Sequence, residues 1–279
     1  MLPDAFRPGS GAGRSSRSMN CCNSAPGRTR PMDARVLLRV FLRTYLVGST
    51  FNTKGMQNVG LSYIMEPGLR ALHGNDRAAL RKARNRYLKH YNTHPFWTPL
   101  VVGIFLSMET KIAAGLLPPD LLSKLRATTV YALSALGDSF FGGSFLVMWS
   151  LVGVNLAVRE HLGMLAAWMT LCLIGLQVFK AYTFGRGYAQ GLAFLQRLKS
   201  WNLIDWGTRI KWFNGLLLAL FAVAILPGTG PWRLAWAVAA ALAALGSVFR
   251  TRDRCVLLAA LAFLGLAFPW DRFPDWLGM

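Results

Sequence analysis

Six long apolar runs, separated by short blocks of arginine and lysine, constrain this chain more than anything else in it. The runs fall at about residues 96–115, 127–158, 162–184, 212–227, 231–249 and 255–270. A helix needs roughly 20 apolar residues to cross a bilayer. The first, third and fifth runs approach that length, the second exceeds it, and the fourth and sixth fall short. Only 15% of the 279 residues are charged, against about 25% in a typical soluble domain. So little charge cannot clothe a water-facing surface. An ordinary soluble enzyme, a disordered protein and a disulfide-rich secreted domain are excluded. The chain reads as an all-α integral membrane protein, with amphipathic N-terminal helices followed by about five to seven transmembrane or re-entrant helical segments.

Lys and Arg number 31 against 12 Asp and Glu, a net charge of +19. The bases sit in blocks between the apolar runs. That pattern fits the positive-inside rule and contact with anionic lipid of the bilayer, and nucleic acid is not an expected partner. The four cysteines show no metal-ligand spacing, and no metal or cofactor is expected.

Residues 1–31 are rich in Gly, Ser, Arg and Pro and lack an apolar core. They read as a disordered tail or a misassigned start, with Met32 opening the structured pattern. Arg35, Arg39 and Arg43 recur every fourth residue among apolar neighbours. Such a stripe predicts a helix over 33–47 lying along the membrane interface. A second, weaker amphipathic stretch spans 56–72 and is interrupted at Pro67. Asn75 or Asp76 caps a basic helix over 76–91, too charged for lipid, whose packing face is Leu80, Ala83, Tyr87 and Tyr91. In the loops, the arginines of 250–254 and the bases of 185–211 mark cytoplasmic segments. Parity then conflicts with a cytoplasmic basic helix. Either 96–115 is a re-entrant hairpin, or the broken 127–158 segment crosses an extra time.

Four places carry candidate chemistry. Asn92-Thr93-His94-Pro95 reads as a helix corner, with Pro95 in the first turn, or as a contact for a proton or sugar at His94. Glu109 lies in an apolar run, where a carboxylate is a functional candidate unless it sits at the interface; Lys111 and Lys180 are its potential partners. Asp138 and Ser139 follow Gly137 and could cap a helix break, line a substrate path, or both. Gly185, Gly187 and Gly191 permit close helix packing. No phosphate-binding loop, zinc-protease helix or nucleophile elbow is present, and no catalytic residue is expected in this chain.

These motifs carry a resemblance. Phe41-Leu42-Arg43 precedes GSTFNTKGMQNVGLSYIMEPGLRALHG at 48–74, then YNTHP at 91–95, the run with Glu109, and LGDSFF at 136–141. In this order the chain resembles the IID membrane component of the mannose/fructose/sorbose-type sugar phosphotransferase systems. The Arg-Pro that closes the last family motif is replaced within Gly142–Val147, and residues 200–231 look shortened.

The resemblance implies a bacterial inner-membrane, multi-pass subunit with a cytoplasmic N-terminus. With a IIC partner it would form the permease of a hexose, while soluble IIA and IIB domains supply the phosphoryl group; an oligomer of IIC–IID pairs is expected. Asn92, His94, Glu109, Asp138 and Ser139 become candidates for the sugar path or its gate. Arg81, Lys82, Arg84 and Arg86 become candidates for the face toward IIB. The organisation is then a tail at 1–31, interfacial and basic helices at 32–95, a transporter core with broken helices at 96–190, and C-terminal helices at 191–279. Two other readings are a non-transporting scaffold or sensor and a membrane-embedded enzyme using His94 with Glu109 or Asp138.

Overall fold

The computed structural model describes residues 31–225 and Val238. The apolar run at 231–249 apart from Val238, the run at 255–270 and the tail at 1–30 lie outside the described residues. Every described element is a helix: α1 (Ala34–Arg43), α2 (Asn58–His73), α3 (Arg77–Tyr87), α4 (Thr98–Ala113), α5 (Pro119–Gly137), α6 (Leu146–Val158), α7 (Leu162–Gln190), α8 (Ala193–Ser200) and α9 (Leu203–Ile225). A π-helical stretch, Asp138–Phe145, joins α5 to α6. Among the described residues three helical stretches are long and apolar enough to cross a membrane: Thr128–Val158, Leu162–Gln190 and Ala193–Ile225.

The core is built around α4. Every residue from Thr98 to Thr110 is buried, because α2 and α7 pack along it. A helix that is apolar all round belongs inside protein or lipid. At 16 residues it is about 24 Å long, short of the roughly 30 Å hydrocarbon layer. Within the 96–115 run, Thr98–Ala113 is therefore one uninterrupted helix sheathed by its neighbours, not a re-entrant hairpin. Pro95 is not in its first turn. His94–Trp97 forms a turn closed by Trp97 N–H donating to the His94 carbonyl at 2.9 Å, and Pro99 occupies the opening turn instead.

Pro67 does not interrupt α2, which runs through it from Asn58 to His73. A proline removes the hydrogen bond to the carbonyl four residues back, here Tyr63. Arg43 Nη1 donates to that carbonyl at 3.0 Å, and its guanidinium lies 4.1 Å from the Tyr63 ring centroid. The third arginine of the α1 stripe thus satisfies the acceptor that proline leaves open. The basic helix starts where expected: the Asp76 carboxylate accepts from Ala78 N–H at 2.8 Å and Ala79 N–H at 3.0 Å. Those bonds, Ala79 first, hold its carboxyl below the usual range. Ala83, Tyr87 and Tyr91 are buried as predicted, and Leu80 is half-buried.

The expected break at Gly137-Asp138 is absent, and so is one at Gly142-Gly143. The helix stays continuous by widening into π form, in which carbonyls accept from N–H groups five residues on, and polar side chains add further bonds. Ser144 Oγ donates to the Ser139 carbonyl at 3.1 Å. Asn214 Nδ2, from α9, donates to the Ser144 carbonyl at 2.9 Å. Lower on the same pair of helices, Asn155 Nδ2 donates to the Leu217 carbonyl at 3.0 Å. Two buried amides therefore tie α9 to the π stretch and α6. α9 also begins nine positions ahead of the apolar run expected from Trp212, at Leu203. Residues 185–211 are accordingly mostly helical, with Arg209 and Lys211 on α9 itself, and not an extended loop.

Candidate functional site

Two motifs far apart in sequence are joined into one clasp. Gln57 N–H donates to the Tyr91 carbonyl at 2.8 Å, and Tyr91 N–H donates to the Gly55 carbonyl at 3.2 Å. Asn58 Nδ2 reaches the Leu88 carbonyl at 2.6 Å, and Thr93 N–H donates to Gln57 Oε1 at 3.3 Å. The Gly55-Met56-Gln57-Asn58 loop thereby fixes residues 88–93, and with them the position of His94. Sequence reasoning offered Asn92 and His94 as actors but missed Gln57 and Asn58 as their supports. Side-chain amides before a helix were the one available signal.

His94 sits against the π stretch. Its ring stacks on Phe141 at 5.3 Å and meets Phe96 edge-on at 4.9 Å. A Cβ on Gly137 would lie 2.3 Å from the His94 Cβ, so only glycine lets the helix and the His94 turn approach this closely. His94 Nδ1 accepts from Phe96 N–H at 3.3 Å, which leaves the proton of the neutral ring on Nε2. Phe141 is the hub of the wall, touching Phe96, Trp97, Phe140, Phe145 and Phe179. The Trp97 indole N–H is buried there with no hydrogen-bond partner among the described residues.

Lys180 completes the group. It is 9% exposed, and its ammonium lies 4.5 Å from the Tyr45 ring centroid and 5.1 Å from that of Phe96. Cation–π attraction offsets part of its desolvation. One turn back on α7, Gln177 Oε1 accepts from the Tyr45 hydroxyl. Burial holds the His94 imidazole below its ordinary pKa near 6.5; Asp138 pulls it back up and Lys180 pushes it down. The structure thus brings His94, Asp138 and Lys180 into one electrostatic neighbourhood. Asp138 and Ser139 are exposed on the described chain and Asn92 is half-buried beside the clasp.

Glu109 lies elsewhere, about 16 Å along α4 from its start. Its partners are not Lys111 and Lys180. The fully buried carboxylate accepts from Arg86 Nε at 3.0 Å, Arg86 Nη2 at 2.6 Å and the Tyr87 hydroxyl at 2.9 Å, with His73 Nε2 at 3.6 Å. The packing face expected of the basic helix holds Leu80, Ala83, Tyr87 and Tyr91 but no cation, so burial of Arg86 beside it was not foreseen. Of the four residues offered as a partner face, Arg86 is bound to Glu109 and Arg84 to Glu66, while Arg81 and Lys82 are exposed.

The depressed His94 value has a consequence for pH. The folded chain binds fewer protons there than the unfolded chain does. Stability is therefore full above the ordinary histidine value and falls as pH drops through the folded value. Thermal stability in detergent should decline from pH 7.5 to pH 5 in wild type. The decline should be smaller in His94→Gln, and equal slopes would reject the assignment.

Comparison with known proteins follows the same lines. A family model described as PTS system mannose/fructose/sorbose family IID component matches residues 32–218. The PTS system mannose-specific EIID component of Escherichia coli K12 is 28% identical over 169 residues, 57% of this chain and 59% of that protein. The fructose permease IID component of Bacillus subtilis 168 is 26% identical over 173 residues, 61% of this chain and 62% of that protein. The matched stretches span about three fifths of these relatives. Among solved structures, the mannose transporter ManYZ with microcin E492 contains a chain aligned at TM-score 0.55 and 18% identity, over 85% of this chain and 96% of that one. A second, described as a membrane protein, aligns at TM-score 0.66 and 18% identity, over 85% and 97%. These two likenesses concern the fold. With the family model covering α1 through most of α9, the chain belongs to the IID component family of the mannose/fructose/sorbose phosphotransferase systems.

Proposed function

We propose that this chain is the IID half of a hexose permease in a bacterial inner membrane, paired with a IIC chain and served by IIA and IIB phosphocarriers. The observation that carries the reading is the family match over 32–218 together with the His94–Asp138–Lys180 group around the π stretch. π-helical turns recur at functional sites, where they re-aim side chains. Aromatic faces suit the C–H faces of a sugar, and a few polar heads among them suit its hydroxyls. In this reading Asp138 and His94 shape or gate the path, Ser139 and Asn92 flank it, and Glu109 ties the basic helix to the core. Lys82, exposed and outside the Arg77–Arg81 cleft, faces the phosphocarrier, the N-terminus is cytoplasmic, and IIC–IID pairs assemble further.

The test is uptake by cells carrying this chain with its IIC, IIB and IIA partners. Asp138→Asn keeps shape and one acceptor but loses charge. Because Asp138 caps no helix break, the Asn variant should assemble with IIC yet transport poorly, with a loss of tenfold or more, on the order of 1.4 kcal/mol. Normal uptake by Asp138→Leu would reject a role for the carboxylate in transport. Stable assembly without phosphoenolpyruvate-dependent uptake of any hexose, in the wild-type chain, would favour the scaffold reading.

A further inference from the structure

The C-terminal end of α2 and one face of α3 enclose an open cavity of about 780 Å³ lined by Arg70, Gly74, Arg77, Leu80, Arg81 and Arg84. Glu66 stands behind it and pairs with both Arg70 and Arg84. Arg84 Nε donates to Glu66 Oε2 at 2.9 Å, so these two guanidiniums are held in place rather than free to wander. Arg77 and Arg81 are exposed, one turn apart on α3. Four guanidiniums against a single carboxylate leave the cleft strongly positive. The planar guanidinium fork is matched to phosphate oxygens.

The same face of α2 changes character along its length. Val59 and Tyr63 are 44% and 48% exposed. They share a helical face with Glu66 and Arg70, at spacings of four, seven and eleven residues. From Tyr63 to Arg70 is about 10 Å along the axis. Val59 and the Tyr63 ring, one face of which the Arg43 guanidinium covers at 4.1 Å, lead over that distance into an arginine cleft, the profile of a site at the bilayer surface.

We propose that this cleft holds the phosphate of an anionic glycerophospholipid, with an acyl chain lying along Val59 and Tyr63, and that the bound lipid pins the α2–α3 pair to the membrane surface. A free phosphate would use the arginines but not Val59 and Tyr63. The proposal does not depend on transport.

The test uses the full chain co-purified with its IIC partner in nanodiscs of mixed phosphatidylglycerol and phosphatidylcholine, with retained lipid counted by native mass spectrometry. Arg77→Gln with Arg81→Gln should lower phosphatidylglycerol retention about tenfold or more, at roughly 1 kcal/mol for each base near the surface. Lys54→Ala with Lys89→Ala removes the same charge away from the cleft and should leave retention nearly unchanged. Val59→Ser with Tyr63→Ser should also weaken retention while leaving the arginines in place. Equal loss in the lysine pair would reduce the effect to diffuse attraction and overturn the proposal. Displacement by millimolar inorganic phosphate, or unchanged retention in the arginine pair, would overturn it as well. Size-exclusion profiles of all variants separate lost binding from lost folding.

Discussion

Glu109→Ala should be among the most damaging single substitutions in the described chain, lowering stability by about 3–5 kcal/mol. The carboxylate is wholly buried and carries a two-point bond from Arg86. Removing it takes a two-point carboxylate bond from a guanidinium that is only 15% exposed. Glu109→Gln keeps the volume and one acceptor, so it should fall between Ala and wild type. The decisive variant is the double Arg86→Met, Glu109→Met. Replacing a buried ion pair by apolar side chains is often neutral, so the double should be more stable than Glu109→Ala. Thermal-shift and size-exclusion measurements on the detergent-solubilised chain give the order. Wild-type stability in Glu109→Ala would show that the tie between α3 and α4 contributes nothing.

A second large effect is expected where α4 crosses α7. A Cβ at Gly103 would stand 2.5 Å from the Phe184 carbonyl oxygen and 2.9 Å from the Tyr188 nitrogen. A Cβ at Gly187 would stand 2.8 Å from the Leu100 carbonyl oxygen. The obstacles are backbone atoms, which cannot swing aside as a side chain can. Small residues at such crossings are what lets two helices pack this closely. Gly103→Ala and Gly187→Ala should each cost about 1–3 kcal/mol or more by overpacking, read as lost monodisperse protein. Gly185→Ala meets nothing within 4 Å. It gains helix propensity, about 1 kcal/mol in an exposed helix, and should match or exceed wild type. If all three behave alike, the crossing is not set by these glycines.

Much of the architecture was legible in residue patterns, and the misses have a common cause. The α1 stripe, the Asp76 cap and the apolar character of 127–158 are local properties that periodicity and capping chemistry expose directly. Pro67 and Gly137-Asp138 look like breaks because a helix interrupted in isolation leaves carbonyls without donors. Here Arg43 serves the Tyr63 carbonyl, π turns keep 138–145 helical, and Asn214 braces them from α9 through the Ser144 carbonyl. A reading of neighbours along the chain cannot foresee a donor that lies 70 positions away. Glu109 shows the same limit. Its apolar surroundings correctly marked the carboxylate as one requiring a partner, but the choice among many cations is made by the packing of α3 on α4. His94 and Asp138 were separately legible; their proximity, and the arrival of Lys180 beside them, depend on Gly137 admitting the His94 turn against the π stretch.

The sheathed position of α4 also sets a problem of timing. This helix is too short to cross a bilayer alone and too apolar to remain in water. Its closest neighbour across the glycine crossing lies roughly 80 positions later, about 4–16 s of synthesis at ~5–20 residues per second. During that interval α1 to α3 are already made and α5 and α6 emerge, but the flank where α7 will seat stays open. The nascent chain must therefore hold an adhesive surface in a waiting state, shielded by the insertion machinery or by lipid, until α7 threads into place. Ribosome-stalled intermediates ending before Phe184 should accordingly be protease-sensitive within 98–113, and those extended well past Gly187 should not.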